Sequence, residues 1–144
     1  MINRKSISGL TVFQIEELNN RQILLGDYHH LLRRFGQLEL VTINQKQHIE
    51  YRQRRMADEI IFIDRGQVSI HLVDVRAASP TFGVEITMLL DEDSLGGILV
   101  PFGLAYSLSS KDGAKLICLS THNDDDDKVR LISAIDVKQI VNTK

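Results

Sequence analysis

The sequence is poor in the features that would settle its chemistry at once. Its single cysteine, Cys118, excludes an internal disulfide and suits a reducing compartment. Positive charge is scarce: 17 Lys and Arg stand against 19 Asp and Glu, for a net charge of -2. A general nucleic-acid binder needs a broad basic field, so nucleic acid is not an expected partner. No apolar run approaches the roughly 18 residues of a membrane-spanning helix, and the opening MINRKSISGL lacks the apolar stretch of a secretory signal. The expectation is a cytoplasmic chain with no membrane partner. The five histidines, His29, His30, His48, His71 and His122, include no pair at i, i+2 spacing. That spacing would set two ligands on one strand face, whereas adjacent His29 and His30 would face opposite sides. No metal site and no cofactor are expected.

What is present reads as one domain over residues 1–144, with 43% hydrophobic and 25% charged residues. A chain of this length buries about 68–70% of its unfolded surface. The organising stretch runs from Glu59 to Thr121 in two strand-like halves, Glu59–Arg76 and Val84–Thr121, hinged at Ser79-Pro80-Thr81-Phe82-Gly83. An Arg65-Gly66 turn divides the first half. Short apolar runs cut by Asp, Gly, Ser and Pro predict an all-β antiparallel sandwich or barrel. The predicted core comprises Ile60, Phe62, Val68, Ile70, Leu72, Ile86, Met88, Ile98, Val100, Leu116 and Ile117.

Around this centre, Leu10–Ile15 predicts a first strand and Asn19-Asn20 a turn. Residues 23–35 predict a short helical or extended piece, with Gly36 as a C-cap if helical, followed by a strand over Leu38–Asn44. Val129–Val141 suits a short helix or a strand. The run Asp124–Asp127 lacks the spaced ligands and glycine of a calcium loop, which predicts a solvated turn.

The segment Val73-Asp74-Val75-Arg76-Ala77-Ala78-Ser79-Pro80-Thr81-Phe82-Gly83 resembles a motif of the dTDP-4-dehydrorhamnose 3,5-epimerase family of cupins and the related dTDP-sugar isomerases. Val100-Pro101-Phe102-Gly103-Leu104-Ala105-Tyr106 is similar to a second motif of that family, and Arg65-Gly66 falls at its Arg-Gly turn. The resemblance implies a double-stranded β-helix, or jelly roll, that forms a homodimer and takes a nucleotide-linked keto-deoxy sugar into the barrel mouth. It also implies a catalytic His, Lys and Tyr, since proton removal beside a ketone needs a base, an enolate stabiliser and an acid. The matching positions here hold other residues. No His occurs in Arg52–Met56, Glu59 stands where the Lys is expected, Cys118 lies near the place of the Tyr, and Tyr106 replaces a family His.

Two readings of function follow. One is a cupin that binds a nucleotide-linked sugar or similar anionic small molecule without the usual catalytic set, or serves as a structural dimer. The other is a divergent isomerase or epimerase with rearranged catalytic residues, for which His48, Cys118 and Tyr106 are the candidates. For binding, Arg52 and Arg54 share a face if their segment is a strand and suit a diphosphate. Arg21 would join them, with His71 and Tyr106 lining the cavity. Beside these stand plainer identities: a charged edge strand for the arginines, core or rim residues for His71 and Tyr106.

Overall fold

The computed structural model describes residues 6–25, 31–93 and 96–143, with backbone alone at 16–18, 21, 23 and 96. Its strands are β1 (Thr11–Gln14), β2 (Glu16–Leu18), β3 (Arg21–Ile23), β4 (Gln37–Ile43), β5 (His48–Gln53), β6 (Glu59–Val73), β7 (Glu85–Asp91), β8 (Gly96–Val100), β9 (Ala105–Ser109), β10 (Ala114–Ser120) and β11 (Arg130–Ile132). One helix, α1 (Ala134–Asn142), follows.

The long strand β6 belongs to both layers of an antiparallel jelly roll. Its first half lies between β8 and β10, giving a sheet β1-β8-β6-β10-β4. Its second half lies between β7 and β9, giving β7-β6-β9-β5-β11. The Arg65-Gly66 pair expected as a turn is instead an irregularity inside β6. Lys115 pairs with Arg65 and Leu116 with Ile63, so one extra β6 residue is accommodated there, and Gly66 takes φ 86°. A bulge bends a strand without ending it. It also reverses the facing: Ile61 points into the barrel ahead of it, and Val68, Ile70 and Leu72 do so after it.

The periodicity of the other strands follows this two-layer plan. β10 buries Leu116 and Cys118 inward, and Ile117 and Leu119 face the other way. Ile60 and Phe62 leave the central core for a second cluster on the outer face, where Phe13 packs edge-on to Phe62 at 5.6 Å. A third cluster, with Val73, Ala105, Ile132 and Val137, lies beneath α1. Ser133 caps that helix, its hydroxyl accepting the Asp136 N–H at 3.1 Å. The tail therefore holds both a strand and a helix. The helical option at 23–35 is not taken by residues 23–25 or 31–35; residues 26–30 lie outside the described part. Gly36 caps no helix there. A Cβ on it would come within 2.4 Å of the His122 backbone.

Candidate ligand site in the barrel

The site begins with a second bulge. Along β5, Ile49 pairs with Leu108 and Arg52 with Tyr106, so three steps of β5 cover two of β9. Ile49 therefore packs into the core, Tyr51 turns outward beneath α1, and Arg52 comes to lie beside Tyr106. The Arg52 guanidinium carbon stands 6.0 Å from the Tyr106 ring centroid, the outer limit of cation–π reach. Arg54 continues the inward row and is only 2% exposed.

Opposite them are Glu59 at the head of β6, Tyr106 on β9, and Cys118 and Ser120 on β10, all buried. Glu39 pairs with Cys118 across β4 and β10. The Tyr106 hydroxyl donates to Glu59 Oε1 at 2.9 Å, and Arg54 Nε lies 3.7 Å from Glu59 Oε2. Arg54 Nη1 donates to the Asp127 carbonyl at 2.5 Å and meets Asp124 Oδ1 at 2.8 Å.

Only part of the aspartate run is a solvated turn. Asp127 is buried, and its carboxylate accepts the N–H groups of Met56 and Ala57 at 2.8 Å and of Arg55 at 3.3 Å. Those bonds hold its carboxyl below the ordinary carboxylate range, against the opposing effect of burial. Gln37 fixes Asp124 through both ends of its side-chain amide. The loop thus straps Arg54 in place, and Asp124, Asp125 and Asp126 stay solvent-exposed while Asp127 is buried.

The arrangement is short of acceptors. Among the described residues, Arg52 Nε, Arg54 Nε, Arg54 Nη2 and Ser120 Oγ are buried without a hydrogen-bond partner. Buried guanidinium nitrogens are costly to leave unbonded, so such a cluster favours an incoming oxyanion. Burial raises the Glu59 carboxyl pKa even though Arg54, Arg52 and the Tyr106 hydroxyl oppose it. Burial, reinforced by Glu59, holds Tyr106 well above the usual phenol range. The same two causes push the Cys118 thiol up to about 12. Cys118 therefore stays protonated at neutral pH and is no ready nucleophile. A thiol reagent such as dithionitrobenzoate should react slowly with the folded protein and at once in guanidinium; rapid stoichiometric labelling of the folded state would contradict this.

The sequence candidates divide by position. Arg52, Arg54, Tyr106 and Cys118 come together inside the barrel. His48 is exposed at the start of β5, opposite Ser109 and ahead of the bulge, and it does not join them. His71 is corrected in place: it points outward from β6, its ring nitrogens meeting Thr87 Oγ1 at 2.7 Å and Glu85 Oε1 at 3.1 Å, so it does not line the interior. Arg21 opens β3 opposite Leu18, and its side chain lies outside the described part. Sequence reasoning undervalued Glu59 and Asp124. The signal for Glu59 was a carboxylate at the inward parity of Ile61 in an otherwise apolar strand. Asp124, reached only through the fold, had none.

Among the described residues no cluster of three or more His, Cys, Asp or Glu is placed to hold a metal ion. None of their helices is long and apolar enough to cross a membrane.

The double-stranded β-helix of antiparallel strands is the cupin fold. Among solved structures, the fold is shared with a dTDP sugar isomerase from Desulfovibrio desulfuricans G20 at TM-score 0.83 and 12% identity, covering 96% of this chain and 91% of that one. A dTDP-4-dehydrorhamnose 3,5-epimerase from Sulfolobus tokodaii matches at TM-score 0.72 and 21% identity, over 89% of this chain and 79% of that one. A 3'-monoepimerase from Streptomyces bikiniensis in complex with dTDP-quinovose matches at TM-score 0.78 and 16% identity, over 94% and 74%. No protein-family profile and no curated protein matches the sequence. The fold is thus that of the dTDP-sugar epimerase and isomerase cupins, as the Ser79–Gly83 motif implied.

Proposed function

We propose that the barrel binds a nucleotide-linked sugar or a similar anionic small molecule through Arg52 and Arg54, without the His–Lys–Tyr set of the epimerases. The observation that carries this is Arg54, 2% exposed, with Nε and Nη2 unbonded. A neutral ligand would leave those groups unpaired, whereas a diphosphate can accept from them in the paired geometry that suits guanidinium. Solved structures of the same fold hold dTDP, dTDP-quinovose and dTDP-4-keto-L-rhamnose, which supports a ligand of that class. Tyr106 and, from β3, Arg21 complete the proposed set. No metal takes part. The proposed assembly is a homodimer: Leu38 and Leu40 stand 60% and 72% exposed on β4, whose one described partner is β10. Light scattering that gave a monomer mass at micromolar concentration would count against the dimer.

The test of binding is a thermal-shift and calorimetry series with dTDP and dTDP-, UDP- and GDP-sugars. Losing one charge-assisted bond removes about 1.5–3 kcal/mol, so Arg52→Gln should weaken binding roughly ten- to a hundredfold. Equal affinity for parent and variant would place the site elsewhere.

A second reading rests on the Glu59–Tyr106 contact. A carboxyl with raised pKa, bonded to a phenol and flanked by two guanidinium groups, has the parts for proton transfer beside a ketone. The binding reading expects no deuterium uptake at C3 or C5 of dTDP-4-keto-6-deoxyglucose. Uptake seen by NMR and lost in Glu59→Gln would establish the second reading instead.

A further inference from the structure

The strongest charge imbalance outside the barrel lies at the far end of β5. A groove of about 610 Å³ there is lined by Gln53, Arg55, Arg76, Phe102, Gly103 and Arg130, together with Ser8 and the loop 77–80. In a chain of net charge -2, every charged residue of this lining is an arginine. The volume falls within the range of small-molecule sites. β11 brings the cations together, since Arg130 pairs with Gln53 and Arg55 follows two residues on.

Four of the nearby acids, Asp58, Asp74, Asp126 and Asp127, are already engaged. Asp74 takes Arg76 through Nε at 2.9 Å and Nη2 at 3.1 Å, so Arg76 enters the groove neutralised and fixed. Asp127 spends its carboxylate on three backbone N–H groups. Asp58 accepts the Phe102 N–H at 3.0 Å and faces Arg33. Asp125 and Asp126 line an adjoining hollow that Arg55 and Arg130 also border, and Asp126 pairs with Arg34. Neither the Arg55 nor the Arg130 guanidinium has an ion pair or hydrogen bond among the described residues. Two unneutralised positive charges therefore face one space beside an apolar wall of Pro80 and Phe102, the latter 46% exposed.

We infer that this groove is a second ligand site, distinct from the barrel, for a small molecule carrying a phosphomonoester on an apolar body. A phosphomonoester carries close to two negative charges at neutral pH and three acceptor oxygens, matching two free guanidinium groups and a third held in place. The apolar body lies against Phe102 and Pro80. The inference is independent of what the barrel binds.

The test uses phenyl phosphate and inorganic phosphate as probes, followed by amide NMR of the full chain at physiological salt. Phenyl phosphate should shift the Ala77, Ala78 and Gly103 resonances saturably, and more tightly than inorganic phosphate. The Arg55→Gln/Arg130→Gln double variant should lose at least about tenfold in affinity, with its melting temperature unchanged because both side chains are exposed. Arg52→Gln, altered only in the barrel, should bind as the parent does. Absence of saturation, equal affinity in the double variant, or shifts confined to Tyr106 and Cys118 would overturn the proposal.

Discussion

Replacing Asp74 by Asn should lower stability by about 3–5 kcal/mol, because it removes a buried charge from a group of partners that all point at it. Asp74 is fully buried. Its carboxylate accepts the Arg76 backbone N–H at 3.1 Å, two Arg76 guanidinium bonds, and the hydroxyls of Ser79 and Thr81 at 2.6 Å each. Asparagine keeps the shape but turns one acceptor into a donor, aimed at groups that already donate. Native domains hold only about 5–15 kcal/mol in total, so the loss is a large share. The melting temperature should fall on the order of 10–20 °C. A fall of only a degree or two would show that the loop holds without its centre.

The same bonds give the protein an acid limit. Burial alone would raise the Asp74 pKa, but the donors, Arg76 first, bring it down to about 2. An unfolded aspartate titrates near 3.9. The folded value lies below the unfolded one, so the stabilisation is complete above about pH 4 and is lost as pH falls through about 2. Its size is about 2–3 kcal/mol. Asp74→Asn should show a shallower loss of stability over that window than the parent.

This centre explains why the Ser79–Gly83 motif reports the fold. Its side chains tie β6 to the start of the described chain. Thr81 Oγ1 accepts the Ser8 N–H at 3.0 Å, and Arg76 Nη2 donates to the Ser8 carbonyl at 2.8 Å. The backbone bonds Asp74 N to Val84 O and Gly83 N to Asp74 O close the hairpin toward β7. None of these groups enters the barrel cluster.

Strand period and turn residues were legible in the sequence, and with them β1, β4, the Asn19-Asn20 turn and most of the core. The bulges were not. A pattern of period two has no mark for one extra residue, so Glu59–Arg76 read as two strands when most of it, Glu59–Val73, is one bent strand shared by both sheets. Beyond the bulge in β5, facing read from Ile49 alone would have sent Arg52 outward. The pairing of Arg52 and Arg54 on one face held, because both lie past it. His71 was placed inward by a strand parity that fits neither Ile70 nor Leu72. The role of Asp124 depends on contact with Arg54 across 70 positions, which no local pattern carries.

Arg54→Ala should be the second most damaging single change, and the more informative one. It deletes the cation within 3.7 Å of Glu59, itself 3% exposed, and the partner of Asp124. Removing one member of a buried pair costs about 3–5 kcal/mol, since the remaining charge keeps its desolvation penalty. A hydrophobic isostere separates that penalty from lost packing: Arg54→Met fills most of the volume but leaves Glu59 with only Arg52 and the Tyr106 hydroxyl to offset its charge. The double variant Arg54→Met/Glu59→Gln removes both charges, and should recover about 0.5–3 kcal/mol relative to the sum of the single changes. Urea midpoints at unchanged m-value provide the measurement. If Arg54 is instead a ligand residue without structural weight, Arg54→Met will unfold within about 1 kcal/mol of the parent and the two changes will be additive. Anion binding divides the outcomes further. Glu59→Gln keeps both guanidinium groups and lowers the negative field around them, so it should bind a nucleotide diphosphate at least as tightly as the parent, whereas both Arg54 variants should lose it.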